Sequence, residues 1–344
     1  MLDDALIETS DPVWCLPDSL RALAPEAVGL LHATNVWAWR AHSPAVLEML
    51  RLRIAALLGN ESGLRRRSRA AQQHGLTEAK VRQLDKYYTS DAFSDLERDC
   101  LEFAEQFVVD VSGPMDGYLI RLRAYFPGDQ LRGFVVALYV TEFTQRLEMM
   151  AAALLRPPAG DVASSSTGFD TTTPVSSEQA LRALAGSLRE FQAAVVRGAA
   201  LDPVITELVR LRCARTHNCR ICKTLRLADA RVAGADDAMT AKIDFYEQSD
   251  LDERAKIALR ITDAMITGPD RLDDAVIAQA RSTFSAPERA ELCLDIMKWS
   301  TQKIHVSLGT DTADAVPKNS EGLSFFDFDE AGTVAGFSAT LTST

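Results

Sequence analysis

The sequence predicts an all-α protein made of two tandem copies of one helical unit. Three observations carry this expectation. Apolar residues recur at the three- and four-residue spacing of helices along most of the chain, with Ser, Asp, Pro and Gly at the ends of those stretches. The chain aligns on itself without a gap, Glu48 to Leu84 on Glu207 to Ile243, a shift of 159 residues. Between the copies, Arg156 to Glu178 is rich in Pro, Ser, Thr and Gly and has no apolar period, so it reads as a linker. The copies are thus placed at 1–157 and 179–312, with the linker at 158–178 and a polar tail at 313–344.

Taken in order, the first copy opens with an amphipathic stretch from Ser19 to about Ala41 that holds Trp37 and Trp39, candidates for the surface on which the copies meet. Ser43-Pro44 is a cap and first-turn pair for a helix that carries Glu48 and ends near Gly59. Helical spacing resumes over Leu64 to Gln73, Thr77 to Tyr88, Asp95 to Val109 and Gly128 to Leu155. The second copy repeats the pattern over Gln179 to Arg197, Pro203 to Thr216, Arg220 to Val232, Asp236 to Gln248, Asp252 to Ile266, Asp273 to Phe284 and Pro287 to about Leu308. Matched residues include Pro44 with Pro203, Arg51-Leu52-Arg53 with Arg210-Leu211-Arg212, Arg67 with Arg226, and Thr144-Gln145-Arg146 with Thr301-Gln302-Lys303. After Pro317 the chain is polar and Gly-rich, and reads as disordered or docked on its own surface.

Composition narrows the function. A chain of 344 residues with 47% hydrophobic and 25% charged residues is ordinary for a globular protein of two domains. A net charge of −11 argues against a nucleic-acid partner, because the phosphate backbone would repel such a surface. The one basic run, Arg65-Arg66-Arg67-Ser68-Arg69, reads as a solvated helix face. No apolar run reaches the length of a membrane span, and the first residues are acidic where a leader would be basic, so the expectation is a cytoplasmic protein without a membrane partner. Of six cysteines, Cys15, Cys100, Cys213 and Cys293 are isolated and read as buried apolar residues.

Cys219 and Cys222 are the exception. Three residues apart at the start of the stretch Arg220 to Val232, with Asn218 as its expected cap, they can close a disulfide, and unpaired N–H groups at a helix start would favour thiolate. Zinc is the competing chemistry, but no second Cys-x-x-C or His-rich pair supplies the other ligands, and no metal is expected.

The run from Glu207 through Cys219 and Cys222 to Gly234 resembles the core motif of the carboxymuconolactone decarboxylase and AhpD-like alkylhydroperoxidase family. Glu207, the cysteine pair, the Leu-Val-Arg-Leu-Arg-Cys-Ala run and the Ala-rich segment match in type and spacing. The family histidine four residues after the second cysteine is Arg226 here, and His217 is the neighbouring substitute. The resemblance implies two AhpD-like repeats across a pseudo-twofold, a homo-oligomer that includes the trimer, and a thiol-dependent oxidoreductase that reduces a peroxide or a disulfide and needs no bound cofactor. It also implies that Cys222 attacks a peroxide, Cys219 closes the disulfide and an external dithiol reduces it. Helix-end electrostatics alone would favour Cys219 as the attacking sulfur. The candidate catalytic residues are Cys222, Cys219, Glu207, His217 and Arg226.

Glu207 reads equally as proton relay and as scaffold, since Glu48 holds its place in a copy without cysteines, and Arg67 likewise favours a structural Arg226. Of the other histidines, His305 alone sits where another helix could bring it to the thiols. Two further readings stand beside the peroxidase: a decarboxylase-like lyase or isomerase acting on a small carboxylated substrate, and a non-catalytic helical scaffold.

Overall fold

Side-chain caps set the starts of several helices, and a first-turn Pro sets those that begin at Pro25 and Pro44. The structure, a computed structural model, describes residues 8–155 and 175–341. Chain order in the first half is β1 (Glu8–Ser10), α1 (Asp18–Leu23), α2 (Pro25–Ala41), α3 (Pro44–Leu58), α4 (Glu61–Arg65), β2 (Arg66–Ser68), α5 (Arg69–Gln73), α6 (Glu78–Val81), α7 (Asp95–Val109), α8 (Asp116–Leu122) and α9 (Asp129–Leu155). The second half runs α10 (Ser177–Val196), α11 (Pro203–Thr216), β3 (Leu225–Leu227), α12 (Ala228–Val232), α13 (Asp237–Ala241), α14 (Glu253–Thr267), α15 (Asp274–Thr283), α16 (Ala286–Trp299), α17 (Gln302–Ser307), β4 (Ser324–Phe328) and β5 (Val334–Ser338). Ser94, Ser176 and Ser285 each form a reciprocal box with a Glu or Gln three residues on, which fixes the starts of α7, α10 and α16. The protein is all-α apart from two small sheets.

One apolar core runs through both halves, from Val13 to Phe326. α2 packs on α10, and α9 packs on α16 and α17 as well as on α2 and α3. α9 is buried along most of its length, and Tyr139 on it donates its hydroxyl proton to the Met297 carbonyl of α16. Burying this many Leu, Ile, Val and Phe side chains, at about 1.5–3 kcal/mol each, is what holds the two sets of helices together. Trp39 is in the core, whereas Trp37 is half-buried with Arg40 over its ring. Among the described residues no helix is long and apolar enough to cross a membrane.

Several expected helices are interrupted. The Ser19–Ala41 stretch breaks at Ala24, with Pro25 starting the second piece. Leu64–Gln73 is cut by β2, which pairs in parallel with β1, so Arg66 and Arg67 are not on a solvated helix face. Both are buried, Arg66 against Glu148 at 2.5 Å and Arg67 against Glu78 at 2.8 Å. Arg220–Val232 is not one helix but a turn, a 3₁₀ turn at Cys222–Thr224, strand β3 and short α12. Thr77–Tyr88 and Asp236–Gln248 each begin as α-helix and continue as 3₁₀ turns, and Pro287–Leu308 breaks at Ser300. The tail after Pro317 forms the hairpin β4–β5, and β4 lies parallel to β3 in the register Leu225 to Ser324 and Leu227 to Phe326. Of the expected linker, 156–174 lies outside the described residues.

Candidate active site

Two residues on α11 form the floor of the site. Glu207 and Arg210 are both buried and joined by two hydrogen bonds, Nε to Oε2 at 2.6 Å and Nη2 to Oε1 at 2.7 Å. The guanidinium also donates to the backbone carbonyls of Cys222, at 3.1 Å, and Leu225, at 2.5 Å. Glu48 and Arg51 on α3 make the same pair at 2.7 and 2.8 Å, and Arg51 holds the carbonyls of Gly63 and Arg66 at 2.7 and 2.8 Å. A carboxylate spent on both oxygens against a guanidinium holds a loop, and it does so where there are no cysteines.

The helix ends also match. α3 closes on Gly59 in the left-handed region, and the Asn60 N–H returns to the Ala55 carbonyl at 2.8 Å. α11 closes on Asn218, also left-handed, and the Cys219 N–H returns to the Ala214 carbonyl at 3.0 Å. Asn218 is therefore the terminator of α11 rather than the cap of a following helix. Asn60 Oδ1 then accepts the Gly63 N–H at 2.9 Å, and Cys219 Sγ accepts the Cys222 N–H at 3.3 Å. Helix-start electrostatics do not act on the cysteines, because residues 220–224 form turns that feed a strand.

Cys219 and Cys222 are joined in a disulfide with α-carbons 5.3 Å apart. Their surroundings differ. Cys219 is fully buried, while Cys222 is half-buried and lines a cavity of about 430 Å³. The walls are Arg210 and Leu225 beneath, Lys298, Trp299, Gln302 and His305 from α16 and α17, and Phe326, Phe328 and Phe337 from the hairpin. Of the two sulfur-bearing residues, Cys222 is therefore the one that opens onto the cavity.

The other candidates separate. Glu207 reaches the dithiol only through Arg210 and the Cys222 backbone. His217 points elsewhere, its Nε2 paired with Ser300 Oγ at 3.1 Å and its ring edge-on to Phe143, in a second cavity of about 270 Å³ shared with Arg146 and Lys303. Burial, then the charges of Lys303 and Arg146, hold that imidazole well below its ordinary pKa. Arg226 donates to the carbonyls of Lys223 and Leu225 at 2.9 and 2.8 Å, as Arg67 does to Leu64 and Arg66, and it does not line the Cys222 cavity. His305 does line it, at the rim, with Nδ1 against Thr310 Oγ1 at 3.1 Å. The isolated Cys213 and Cys293 are buried, and burial pushes both thiols up to about 12. Among the described residues no group of His, Cys, Asp and Glu is placed to hold a metal ion.

Lys298, Trp299 and Gln302 were not singled out in the sequence. Helical spacing makes them members of an apolar-faced helix, and only Gln302 carried a signal, as the counterpart of Gln145. Burial pushes the Lys298 ammonium well below its ordinary pKa, against the pull of Asp295 one turn earlier. The same desolvation raises the Asp295 carboxyl.

No protein-family model and no solved structure matches the chain. Two proteins of Mycobacterium tuberculosis do: "Uncharacterized protein MT2376" of strain CDC 1551 / Oshkosh and "Uncharacterized protein Rv2313c" of strain ATCC 25618 / H37Rv. Each is 41% identical over 211 residues, which cover 61% of this chain and 72% of the relative. At that identity and coverage, the chain belongs to one family with these mycobacterial proteins.

Proposed function

We propose that the protein is a thiol-dependent oxidoreductase that turns over peroxide through the Cys219–Cys222 couple. The observation that carries this reading is the asymmetry of the pair: one sulfur opens onto a cavity, and the other is buried within bonding distance behind it. In the reduced protein the Cys222 thiolate attacks the outer oxygen of a hydroperoxide. The O–O bond breaks, the alkoxide takes a proton and leaves as alcohol, and Cys222 becomes a sulfenic acid. Cys219, as thiolate, then attacks the Cys222 sulfur. Hydroxide leaves as water with a proton, and the disulfide forms.

An external dithiol returns two electrons and two protons by attacking Cys222, the exposed sulfur, and releasing Cys219 as thiolate. The Cys222 N–H that points at Cys219 Sγ favours that leaving group. His305 is the rim group able to exchange the protons, in place of the histidine that Arg226 replaces. This chemistry needs a reducing compartment such as the cytoplasm, and to it the resemblance adds a homo-oligomer that includes the trimer.

Free-thiol titration under denaturing conditions tests the reading. Reduced protein should lose two of its six thiols together on treatment with a small organic hydroperoxide, and regain them with a dithiol. Cys222→Ser should abolish the paired loss. Thiols that survive peroxide unchanged in the wild type would remove the oxidoreductase reading.

A further inference from the structure

Charge is distributed unevenly around the disulfide. The chain carries a net charge of −11, yet among the described residues no Asp or Glu lines the Cys222 cavity, whose basic lining is Arg189, Lys298 and Arg210, the last already paired with Glu207. Across Trp299 and Phe328, which line both, another cavity of about 520 Å³ carries six carboxylates, among them Asp229, Glu291, Asp295 and Asp327, against one cation, Arg197. The aromatic wall thus divides an acidic hollow from a basic one, and the dithiol opens onto the basic side.

Three polar groups at the α16–α17 junction have no partner among the described residues. Lys298 is 6% exposed, and its Nζ makes neither an ion pair nor a hydrogen bond. It rests against the rings of Trp299 and Phe328, and Asp295, one turn earlier, attracts it without forming an ion pair. Trp299 Nε1 and Gln302 Oε1 are buried and unbonded. For Gln302 the cause is visible in the other half, where Gln145 Oε1 accepts from Asn60 Nδ2 at 3.2 Å. Cys219 replaces that asparagine and offers no N–H. Buried polar atoms without partners cost stability, and their convergence on one cavity marks a place where a ligand completes the bonding.

We propose that this cavity binds an organic carboxylate with an aromatic or apolar body, its carboxylate on Lys298 and Trp299 Nε1 and its body against Phe326, Phe328 and Phe337. A donor on the same ligand, such as the O–H of a hydroperoxide, serves Gln302 beside the dithiol. The substrate of the proposed redox reaction is then an acidic organic hydroperoxide. That last step rests on the oxidoreductase reading, whereas the binding does not.

Calorimetric titration of the full chain with 4-phenylbutyrate, 4-phenylbutan-1-ol and 4-phenylbutylamine tests it. The carboxylate should bind at least about tenfold more tightly than the alcohol or the amine, and Lys298→Met should erase that preference while leaving the alcohol unchanged. Arg189→Gln, at an exposed position, should weaken the carboxylate alone by a smaller factor. Equal binding of the three probes, no binding of any, or a preference that survives Lys298→Met would overturn the proposal. Cys222→Ser should keep the preference. A carboxylate preference without peroxide-dependent thiol loss supports the anion site and removes the redox reading. Thiol loss without the preference does the reverse.

Discussion

Residues 59–68 and 218–227 leave a helix and enter a strand in the same way, yet of their ten positions only Arg67 and Arg226 match, and α4 stands in the first where the second has turns. Each begins on a left-handed residue, Gly59 or Asn218, and each is clasped by an arginine that a buried glutamate holds from the preceding helix. Each also ends in a three-residue strand paired in parallel, with β1 in one case and β4 in the other. In the first loop Asn60 ties Gly63 and Gln145 together, so that Gln145 Oε1 has its donor. In the second, Cys219 and Cys222 replace Asn60 and Gly63, a disulfide replaces the amide hydrogen bond, and Gln302 loses its donor. The comparison teaches that the clasp belongs to the fold and the dithiol is an addition to it.

The largest effect should come from breaking the clasp itself. Glu48→Gln and Glu207→Gln each leave a buried guanidinium without its counter-charge, and each should cost about 3–5 kcal/mol of stability by urea unfolding. The two losses should be alike, because the bond lengths of the two pairs are alike. If Glu207→Gln unfolded like the wild type yet no longer lost thiols to peroxide, Glu207 would be a proton carrier and the comparison would fail.

The two clasps were legible in the self-alignment, which sets Glu48 and Arg51 on Glu207 and Arg210 at one spacing; for Glu207 that alignment left proton relay and scaffold evenly weighted, and the ion pair with Arg210 is what the structure adds. Helix period alone carried α7, α9 and α11 to within a residue or so of their ends. It misread Arg220–Val232, whose apolar spacing suits a helix. Arg210 takes carbonyls that a helix would use internally, and the partner strand arrives from residues 324–328, about a hundred positions later. The hairpin was missed for the same reason: its polar, Gly-rich sequence has little apolar period, and Phe326 is buried only because β3 is there to pair with β4. The proposed ligand groups were hidden by their helical spacing, which cannot tell an apolar core from a cavity wall.

His217 differs from its counterpart Leu58 and gives a pH-dependent contrast between the halves. Its pKa is lowered on folding, so the folded protein keeps it neutral while the unfolded chain takes up a proton as pH falls below about 6.5. The stability linked to it is full above that pH and is lost as pH falls towards the folded value. Between pH 7.5 and 5 the wild type should therefore lose about 1–2 kcal/mol more than His217→Leu, measured by urea midpoints at the two pH values. Parallel losses in the two proteins would show that the imidazole is not held neutral. The peroxide-dependent thiol loss should be unchanged in the variant, since His217 lines a different cavity from Cys222.

The smallest effect is the most specific, because it rewrites one loop as the other. In Cys219→Asn with Cys222→Gly, the new amide can accept the N–H of residue 222 and donate to Gln302 Oε1, as Asn60 does for Gly63 and Gln145. Against Cys219→Ala with Cys222→Gly, which lacks both bonds and the disulfide alike, it should be more stable by about 1 kcal/mol for satisfying a buried acceptor. The sensitive measurement is the difference in urea midpoint between the two double variants, since the loss of the disulfide cancels between them. Equal midpoints would mean that Gln302 Oε1 is satisfied in solution by something other than residue 219, and the open acceptor beside the dithiol would no longer argue for a ligand.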